Sequence, residues 1–512
     1  MTTVPLPLGS YSVLDTRASG RRLVGCFSEN ADADNRSDTK DEANPVYLRR
    51  FPGIRSLSGF TDGSGNPVRG MWEMAGVQYV VIGPNLYSVA ISPVTQTAVL
   101  TKLNGLVPIS GASFVRMSDN GACLVILQPG TANAWTYAPL GGGFQQLTNI
   151  FFTALGAIDC WFDDTYIVFL SLDGTKFFND DGRQVSGNNQ ITFTTGAVFP
   201  REFGTDLFVG GICEHRQLFL FGTRTSEGYV NSGQPVGTPF STEPDSFIEL
   251  GCHPLAGYSI AKQDNSTFWL ANDLTVRRRN GQTPMRVSNS GIEQILQAVA
   301  SPNGNAGTLV GCYAFSPTVA GHPLWVLQLP NAISPDGYTG RTLCYDCLTQ
   351  KWFELQSYGA NGQPLGGWRA LCYYNGVGGQ LIGDSQSSQV GMLDPSVSTE
   401  FGATQICEFT TQSIYDKHNR IACRRLELVV TAGGTSSLTT APIVDLLVSY
   451  DASRSFESFA DPQSLGVADD TLARAVWWNL GQGRDLAFKF RITDQTSAFF
   501  VDVQGEFQGG RF

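Results

Sequence analysis

The sequence is poor in charged residues and in histidine, and it contains no long apolar run. Of its 512 residues, 15% are charged and four are histidine, whereas soluble domains usually carry about 25% charged residues. No stretch approaches the about 18 uninterrupted apolar residues of a membrane helix, because the best candidate, Phe151 to Leu170, is broken by Asp159, Asp163 and Asp164. The first residues, MTTVPLPLGSYSVLD, have neither the basic start nor the apolar core of a signal peptide. We therefore expect neither membrane insertion nor secretion by the general route.

Basic residues are also scarce relative to acidic ones. Forty-five acids against thirty-four bases give a formal net charge of −11, which argues against a groove that grips nucleic acid. Only seven of the bases are lysine and 27 are arginine, and arginine suits forked contacts between subunits. An ordinary hydrophobic content of 42% with 11% aromatic residues excludes a disordered chain, which would be poor in both.

The cysteines show no pattern of paired spacing. There are eleven, scattered singly apart from Cys344 and Cys347, which predicts reduced thiols in a cytosol-like compartment. The spacing of that pair fits a redox or zinc site, but no second pair follows it. The four histidines also lie far apart in sequence: His215, His253, His322 and His418. We therefore expect two half-buried strand cysteines, with no metal site and no cofactor.

The sequence has the pattern of β-strands almost throughout, and it is rich in glycine, with 57 glycine residues. Short apolar runs alternate with Asp-Gly or Asn-Gly turns, which tolerate the positive φ of tight hairpins. Seven of the runs start roughly 40–57 residues apart: Tyr79–Ile82, Leu124–Leu127, Tyr166–Leu170, Leu218–Phe221, Phe268–Leu270, Leu324–Leu327 and Leu381–Ile382. A unit of about 40–50 residues with about four strands is typical of a β-propeller blade.

We therefore predict an all-β fold, a β-propeller of about six to eight blades with an additional C-terminal β domain and one short helix. The alternative is an irregular series of β-sandwiches. The predicted organisation is an N-terminal arm with the first strands (1–60), the propeller (61–400) and a C-terminal β-sandwich-like domain (401–512), where the strands become longer and alternate in polarity.

Two further segments stand out from the β pattern. Ser290 and Glu293 form a capping-box pattern, followed by apolar residues on one helical face, and Pro302 ends the helix. The segment Glu29 to Glu42 is strongly acidic. We interpret it as a solvated loop, with a partner-binding arm as the alternative.

No motif for catalysis is recognisable in the sequence. It has no phosphate loop, nucleotide fingerprint, zincin helix or nucleophile elbow, and we predict no catalytic, cofactor-binding or metal-binding residues and no enzyme activity. Ser449 to Phe456 (SYDASRSF) resembles a degenerate Asp-box, S-x-D-x-G-x-T-W, in which the aspartate accepts hydrogen bonds from turn amides. Ser171 to Thr175 (SLDGT) is a similar turn. Neither turn indicates an active site.

Several short sequence motifs occur in a fixed order between about residues 211 and 384. They are His215–Gly222 (HRQLFLFG), Phe247–Cys252 (FIELGC), Asp264–Leu270 (DNSTFWL), Arg279–Ser288 (RNGQTPMRVS) leading to Ile292–Glu293, then Tyr345–Asp346, Trp352, Trp368–Ala370 and Gly383–Asp384. This region resembles the packaged-DNA stabilisation proteins, also called tail nozzle or tail hub proteins, of short-tailed phages (podoviruses). Weaker similarity extends to Arg21–Glu29, Arg424–Leu428 and Arg491–Asp494.

The resemblance implies a structural virion protein that assembles in the host cytoplasm. Family members form a ring, usually hexameric, beneath the portal and its adaptor ring. The ring extends the DNA channel, helps retain the packaged genome with a plug or needle protein, and offers docking surface to tail fibres or tailspikes. For such a ring we predict a lumen of acids and neutral polar groups, with most arginines at subunit contacts or on the outer wall, because bases would bind passing DNA. The alternative function is a propeller glycosidase or glycan-binding lectin of the phage tail.

Overall fold

The computed structural model describes residues 2–6, 8, 22–30, 46–182, 190–193, 197–233, 239–301, 306–359, 361–376, 379–417, 419–433, 441–459, 461–466 and 473–509. The fold is a β-propeller with six blades that are separate sheets. A further four-stranded sector lies in the ring, and its sheet continues into additional C-terminal β structure. The predicted all-β propeller is thus confirmed.

Five blades are four-stranded antiparallel meanders in which consecutive strands pair. Blade 1 comprises Val68–Met74, Val77–Ile82, Asn85–Ile91 and Ala98–Lys102; blade 2, Arg116–Asp119, Leu124–Leu127, Ala134–Ala138 and Gly143–Gln146; blade 3, Asp159–Asp163, Tyr166–Leu170, Lys176–Asn179 and Val198–Pro200; blade 4, Phe208–Glu214, Gln217–Gly222, Ser226–Asn231 and Phe240–Thr242; blade 5, Ala261–Gln263, Ser266–Leu270, Val276–Asn280 and Thr283–Arg286.

The shared sector follows blade 5, and the closing blade completes the ring. The shared sector contains Tyr313–Phe315, His322–Ile333, Thr339–Asp346 and Lys351–Leu355, with Thr318–Val319 paired to its second strand. The closing blade contains Ala370–Gly376, Gly379–Asp384 and Val390–Asp394, its outer strand Gly53–Ser56, and the short strands Thr399–Glu400 and Ala403–Thr404.

The ring is closed by pairing between its two chain ends. Strand Gly53–Ser56 pairs antiparallel with Val390–Asp394, and the first strand of the closing blade packs against the first strand of blade 1, where the Cys372 thiol donates to the Val68 carbonyl at 3.4 Å. The propeller therefore begins before residue 61, the predicted boundary.

The apolar runs that reveal the repeat are the second strands of the blades. In blades 2, 4 and 5 every residue of the second strand is buried, because neighbouring blades cover both faces. The first strands lie innermost and pack closely, and one of these contacts requires glycine. A Cβ on Gly70 of blade 1 would lie 2.6 Å from Val115 beside blade 2.

The C-terminal part is a two-layer sandwich that also contains N-terminal strands. One layer consists of Thr2–Pro5, Cys26–Asn30, Val46–Arg50, Ile421–Gly433, Ala473–Trp478, Gln482–Gly483 and Ser497–Gly509; the other continues the shared sector with Leu23–Val24, Cys407–Thr410, Ile414–Tyr415, Ile443–Ser449, Glu457–Ser458, Gln463–Ser464 and Asp485–Ile492. Ring contacts such as Phe409 with Phe500 (4.8 Å) join the layers.

Two α-helices occur in the described part of the chain, one more than the sequence predicts: α1 (Ile150–Leu155) and α2 (Ser290–Ala300), with a 3-10 turn at Gly257–Ser259. Neither is long and apolar enough to cross a membrane. The N-cap of α2 is Asn289, whose side chain accepts from the amides of Gly291 and Ile292. Ser290 is the first helical residue, so the predicted cap was wrong by one position.

The acidic segment predicted to be a loop or a partner-binding arm falls almost entirely in residues 31–45, outside the described residues. Only its first two residues belong to a described strand, Cys26–Asn30.

Candidate functional site

The first strands of several blades converge at the propeller axis, where many propellers have their binding or active sites. These strands enclose a cavity of about 370 Å³. The described lining of the cavity includes seven aromatic residues: Trp72, Phe114, Trp161, Phe162, Tyr313, Phe315 and Tyr373. All of these residues except Phe114 lie in the first strands of their blades or of the shared sector, so the strands themselves form the wall.

Three aromatic side chains pack against one another at the edge of this cavity. The ring of Phe114 lies 5.2 Å from that of Tyr258 and 5.0 Å from that of Tyr313. The Tyr258 hydroxyl donates to the carbonyl of Ile158 in the link before blade 3 (3.0 Å), and the Tyr313 hydroxyl donates to that of Ala370 in the closing blade (3.2 Å). Burial raises the pKa of both tyrosines. We call Phe114, Tyr258 and Tyr313 the axial plug.

The two arginines that line the cavity bind groups of the same chain. The Arg69 guanidinium donates to the carbonyls of Ser113, Gly83, Ile109 and Ser110, and burial lowers its pKa to about 10. Arg116 pairs with the buried Asp159 at 2.7 Å.

The described residues that line the axial cavity include no carboxylate. Retaining and inverting glycosidases generally need two carboxyl groups about 5–10 Å apart across the scissile bond. The cavity wall therefore does not supply the acid pair that a propeller glycosidase would use at its axis.

Cys344 and Cys347 are more deeply buried than expected. Cys344 lies in strand Thr339–Asp346 and Cys347 directly follows it, and both are free thiols. Burial raises the pKa of Cys344 well above its ordinary value and that of Cys347 to about 12. High pKa values disfavour the thiolate that redox chemistry and zinc binding need.

Histidines do not complement these thiols as metal ligands. His322 is bound to Asp346 (2.8 Å), and His215 contacts Asn265 (3.0 Å). Within the described residues no group of three or more His, Cys, Asp or Glu side chains could hold a metal ion. His418 lies outside them.

The degenerate Asp-box forms the turn that its sequence suggests. The Asp451 carboxylate accepts from the amides of Arg454 and Ser455 at 3.0 Å each, and these turn hydrogen bonds outweigh desolvation and lower its pKa to about 2. Asp173 accepts from the amide of Thr175 in the same manner. Asp451 belongs to the sandwich and Asp173 to a turn in blade 3, so neither residue lines the axial cavity.

The residues of the motifs that resemble the phage family form structural contacts inside the subunit. The Arg369 Nε donates to Asp384 at 2.8 Å, and the Trp368 indole donates to Glu400 at 3.0 Å. Glu293, predicted to reach back to its helix end, instead accepts from Arg286 and Ser288. These polar residues hold blades and connections together, which accounts for their place in the sequence without a catalytic role.

A buried ion cluster at the seam between the shared sector and the sandwich was not predicted. Arg22 contacts Glu354 (3.0 Å) and Asp336, while Arg341 binds the other Glu354 oxygen (2.7 Å). Nearby, Glu408 accepts ion pairs from Lys489 and Arg491. Arg22 and Glu354 are 332 positions apart, so no local spacing could have revealed the pair.

Comparison with known proteins identifies a family for this chain. Among solved structures, a mutant of Trypanosoma rangeli sialidase displaying trans-sialidase activity matches over 95% of this chain and 96% of its own, at 10% identity and a TM-score of 0.29. No curated protein matches the sequence. The model of the phage stabilisation family, described as "Bacteriophage P22 Gp10, beta-propeller", matches residues 38–398. Since that match covers well over half of the chain, the protein belongs to this family of phage packaged-DNA stabilisation proteins.

Proposed function

We propose that the chain is the tail nozzle subunit of a short-tailed phage, a structural virion protein that assembles in the host cytoplasm. Copies form a ring below the portal and its adaptor ring, help to retain packaged DNA, and conduct it at ejection. The observation that carries the proposal is membership of the family over residues 38–398. Tail fibres or tailspikes and a plug or needle protein are the further partners that we propose.

The propeller cannot itself be the conduit for DNA. Its axial cavity holds about 370 Å³, and the axial plug of Phe114, Tyr258 and Tyr313 packs at its edge. A sphere of that volume is only about 9 Å across, less than the about 12 Å width of the major groove of B-DNA alone, so a duplex does not fit through the axis. A channel must therefore run between copies of the chain, and we propose a hexameric ring around it.

The distribution of arginine supports a channel that does not bind DNA. In the described part of the chain, fifteen arginines form ion pairs with carboxylates of the same subunit. These arginines, expected from the sequence at subunit contacts or on the outer wall, thus bind carboxylates within one subunit. A guanidinium that already has a carboxylate partner attracts a phosphate less, so it contributes little to DNA affinity.

The decisive experiment mixes the purified full chain with the phage's portal–adaptor ring and measures mass and stoichiometry by native mass spectrometry. We expect six copies to add to the adaptor-bearing ring and none to a portal without adaptor. A chain that stays monomeric in the presence of the portal–adaptor ring would contradict the nozzle proposal.

A glycan-directed activity gains no support from the axial cavity, since carboxylates are missing from its described lining. Incubating the chain with host polysaccharide should release no reducing ends, and a glycan column should not retain it. Release or retention would favour the glycosidase or lectin instead.

A further inference from the structure

One face of the propeller exposes an arc of large apolar side chains. The turns between second and third strands and the links between blades lie on this face. The arc comprises Ile150, Leu172, Phe203, Leu207 and Phe247; we call it the apolar arc. Ile150 is 85% and Leu207 50% exposed, although large apolar residues are usually covered. A contiguous exposed patch of this kind commonly marks an interaction site.

Contacts along the backbone and between rings make the arc continuous. The amide of Leu172 donates to Leu155 at the end of α1, and Leu207 lies beside the turn at Gly174. The rings of Phe203 and Phe247 are in edge contact at 6.3 Å. The residues of the arc thus lie on the connections of blades 2 to 4, and these contacts join neighbouring connections.

The charge beside the arc is mainly acidic. Glu202, Asp245 and Glu249 are exposed there, against one exposed base of the same connections, Arg224. None of the three acids has an ion-pair partner among the described residues. An apolar centre with an acidic rim selects a partner that offers aromatic or apolar groups together with arginine or lysine.

The sandwich carries a surface of that complementary chemistry. It comprises Tyr415, Arg420, Arg424, Tyr450, Trp478 and Arg484, all of them exposed; we call it the arginine tip. Trp478 is 60% exposed, and tyrosine, tryptophan and arginine are the residues most enriched at binding hot spots.

The arginine tip is also continuous and has spare positive charge. The Tyr450 hydroxyl donates to the Leu480 carbonyl (2.8 Å), Tyr415 pairs with Asp485, and the Asn479 amide donates to Arg424. No carboxylate in the described part forms an ion pair with Arg420, Arg424 or Arg484. Their charge is available to a partner.

We propose that the apolar arc of one copy binds the arginine tip of the next. Two apolar arcs facing each other would oppose acid to acid, whereas arc against tip pairs opposite charges. Such a contact is heterologous, which is the class of contact from which cyclic rings are built. The inference rests on the proposed function and names the surfaces by which its ring would form.

The test uses two full-length variants, each lacking one surface: Phe203→Asp in the arc and Trp478→Asp in the tip. Sedimentation velocity should show wild type associating and each variant alone at least about 30-fold weaker, the loss expected for a hot spot. A mixture of the two variants should form a 1:1 dimer, because one intact arc and one intact tip remain.

Control variants distinguish a specific loss of association from misfolding and from a general effect of adding a charge to the surface. Leu140→Asp is the matched control, since Leu140 is 84% exposed but lies in the turn between the third and fourth strands of blade 2, on the opposite face; it should associate like wild type. Leu207→Asp and Arg484→Glu form a second pair with the same expectation. Circular dichroism and thermal melting confirm that each variant is folded.

Several results would overturn the inference. A wild-type chain that stays monomeric at every concentration, a tip variant that still dimerises by itself, or a variant mixture that stays monomeric would each contradict arc-to-tip binding. If both variants associate normally while wild type still adds six copies to the adaptor ring, the surfaces are wrong but the nozzle function survives.

Discussion

Replacing Arg22 with methionine tests whether the seam between propeller and sandwich is held by buried charge. Arg22 is 4% exposed and reaches the Glu354 carboxylate through two nitrogens at 3.0 and 3.1 Å, with Asp336 as a second partner. Methionine keeps much of the length of the side chain but removes the charge. Glu354, itself 2% exposed, would then keep Arg341 as its ion-pair partner.

Breaking a buried ion pair by removing one partner typically costs about 3–5 kcal/mol, since an uncompensated charge stays buried. Because Arg341 still neutralises part of the Glu354 charge, we expect the lower end, about 3 kcal/mol. Urea denaturation followed by tryptophan fluorescence measures the loss as a lower midpoint. The free energy of unfolding should fall with little change in slope, since the folded surface is unchanged.

Arg216→Met is the matched control. Arg216 pairs with Asp164 at a similar distance, 2.9 Å, but its side chain is 81% exposed. Water and salt screen such a pair, so we expect no measurable change. If the two variants lose equal stability, or if Arg22→Met is as stable as wild type, the argument from burial is refuted.

Two further substitutions test single groups. Burial raises the pKa of Glu400 to about 7 from 4.5, so the contribution of this carboxyl to stability is complete below pH 4.5 and is lost as the pH rises through 7. Glutamine at this position keeps an acceptor for the Trp368 indole but carries no charge. Glu400→Gln should therefore stabilise the chain by up to about 3 kcal/mol at pH 8 and by little at pH 4.5. Denaturation at both pH values measures this, and an equal effect at the two would contradict it. Asn289→Ala should cost about 1 kcal/mol by removing the N-cap of α2, while Ser290→Ala should cost clearly less; the reverse order in urea denaturation would restore Ser290 as the cap.

Local patterns in the sequence predicted the part of the fold that depends on local chemistry. Second strands such as Leu124–Leu127 are apolar at every position because both faces are covered, so their recurrence is visible without knowing any partner. The capping signal near α2 was visible as well. Asn289 and Ser290 are adjacent cap-forming residues, and the structure shows that the Asn289 oxygen reaches the two amides while Glu293 turns to Arg286.

Pairings between distant segments could not be predicted in this manner. Strand Gly53–Ser56 joins a blade formed more than 300 residues later, and nothing in its four residues specifies that neighbour. The short helix α1 was missed because its aromatic residues, Phe151 and Phe152, resemble a strand. The axial plug likewise combines three residues from different parts of the ring, each with an ordinary local sequence.

The internal use of arginine changes what the net charge means for DNA. Each buried ion pair removes one base and one acid from the charges that are available to solvent. The net charge of −11 is therefore carried by fewer exposed groups, and acids form a larger share of them. In the ring that we propose, a duplex passing between copies would meet a surface more acidic than the composition suggests. Phosphate affinity depends on how many bases contact the backbone. An arginine tip covered by the neighbouring apolar arc would remove more bases from the lumen, so the same contact that forms the ring would also help DNA to slide through it.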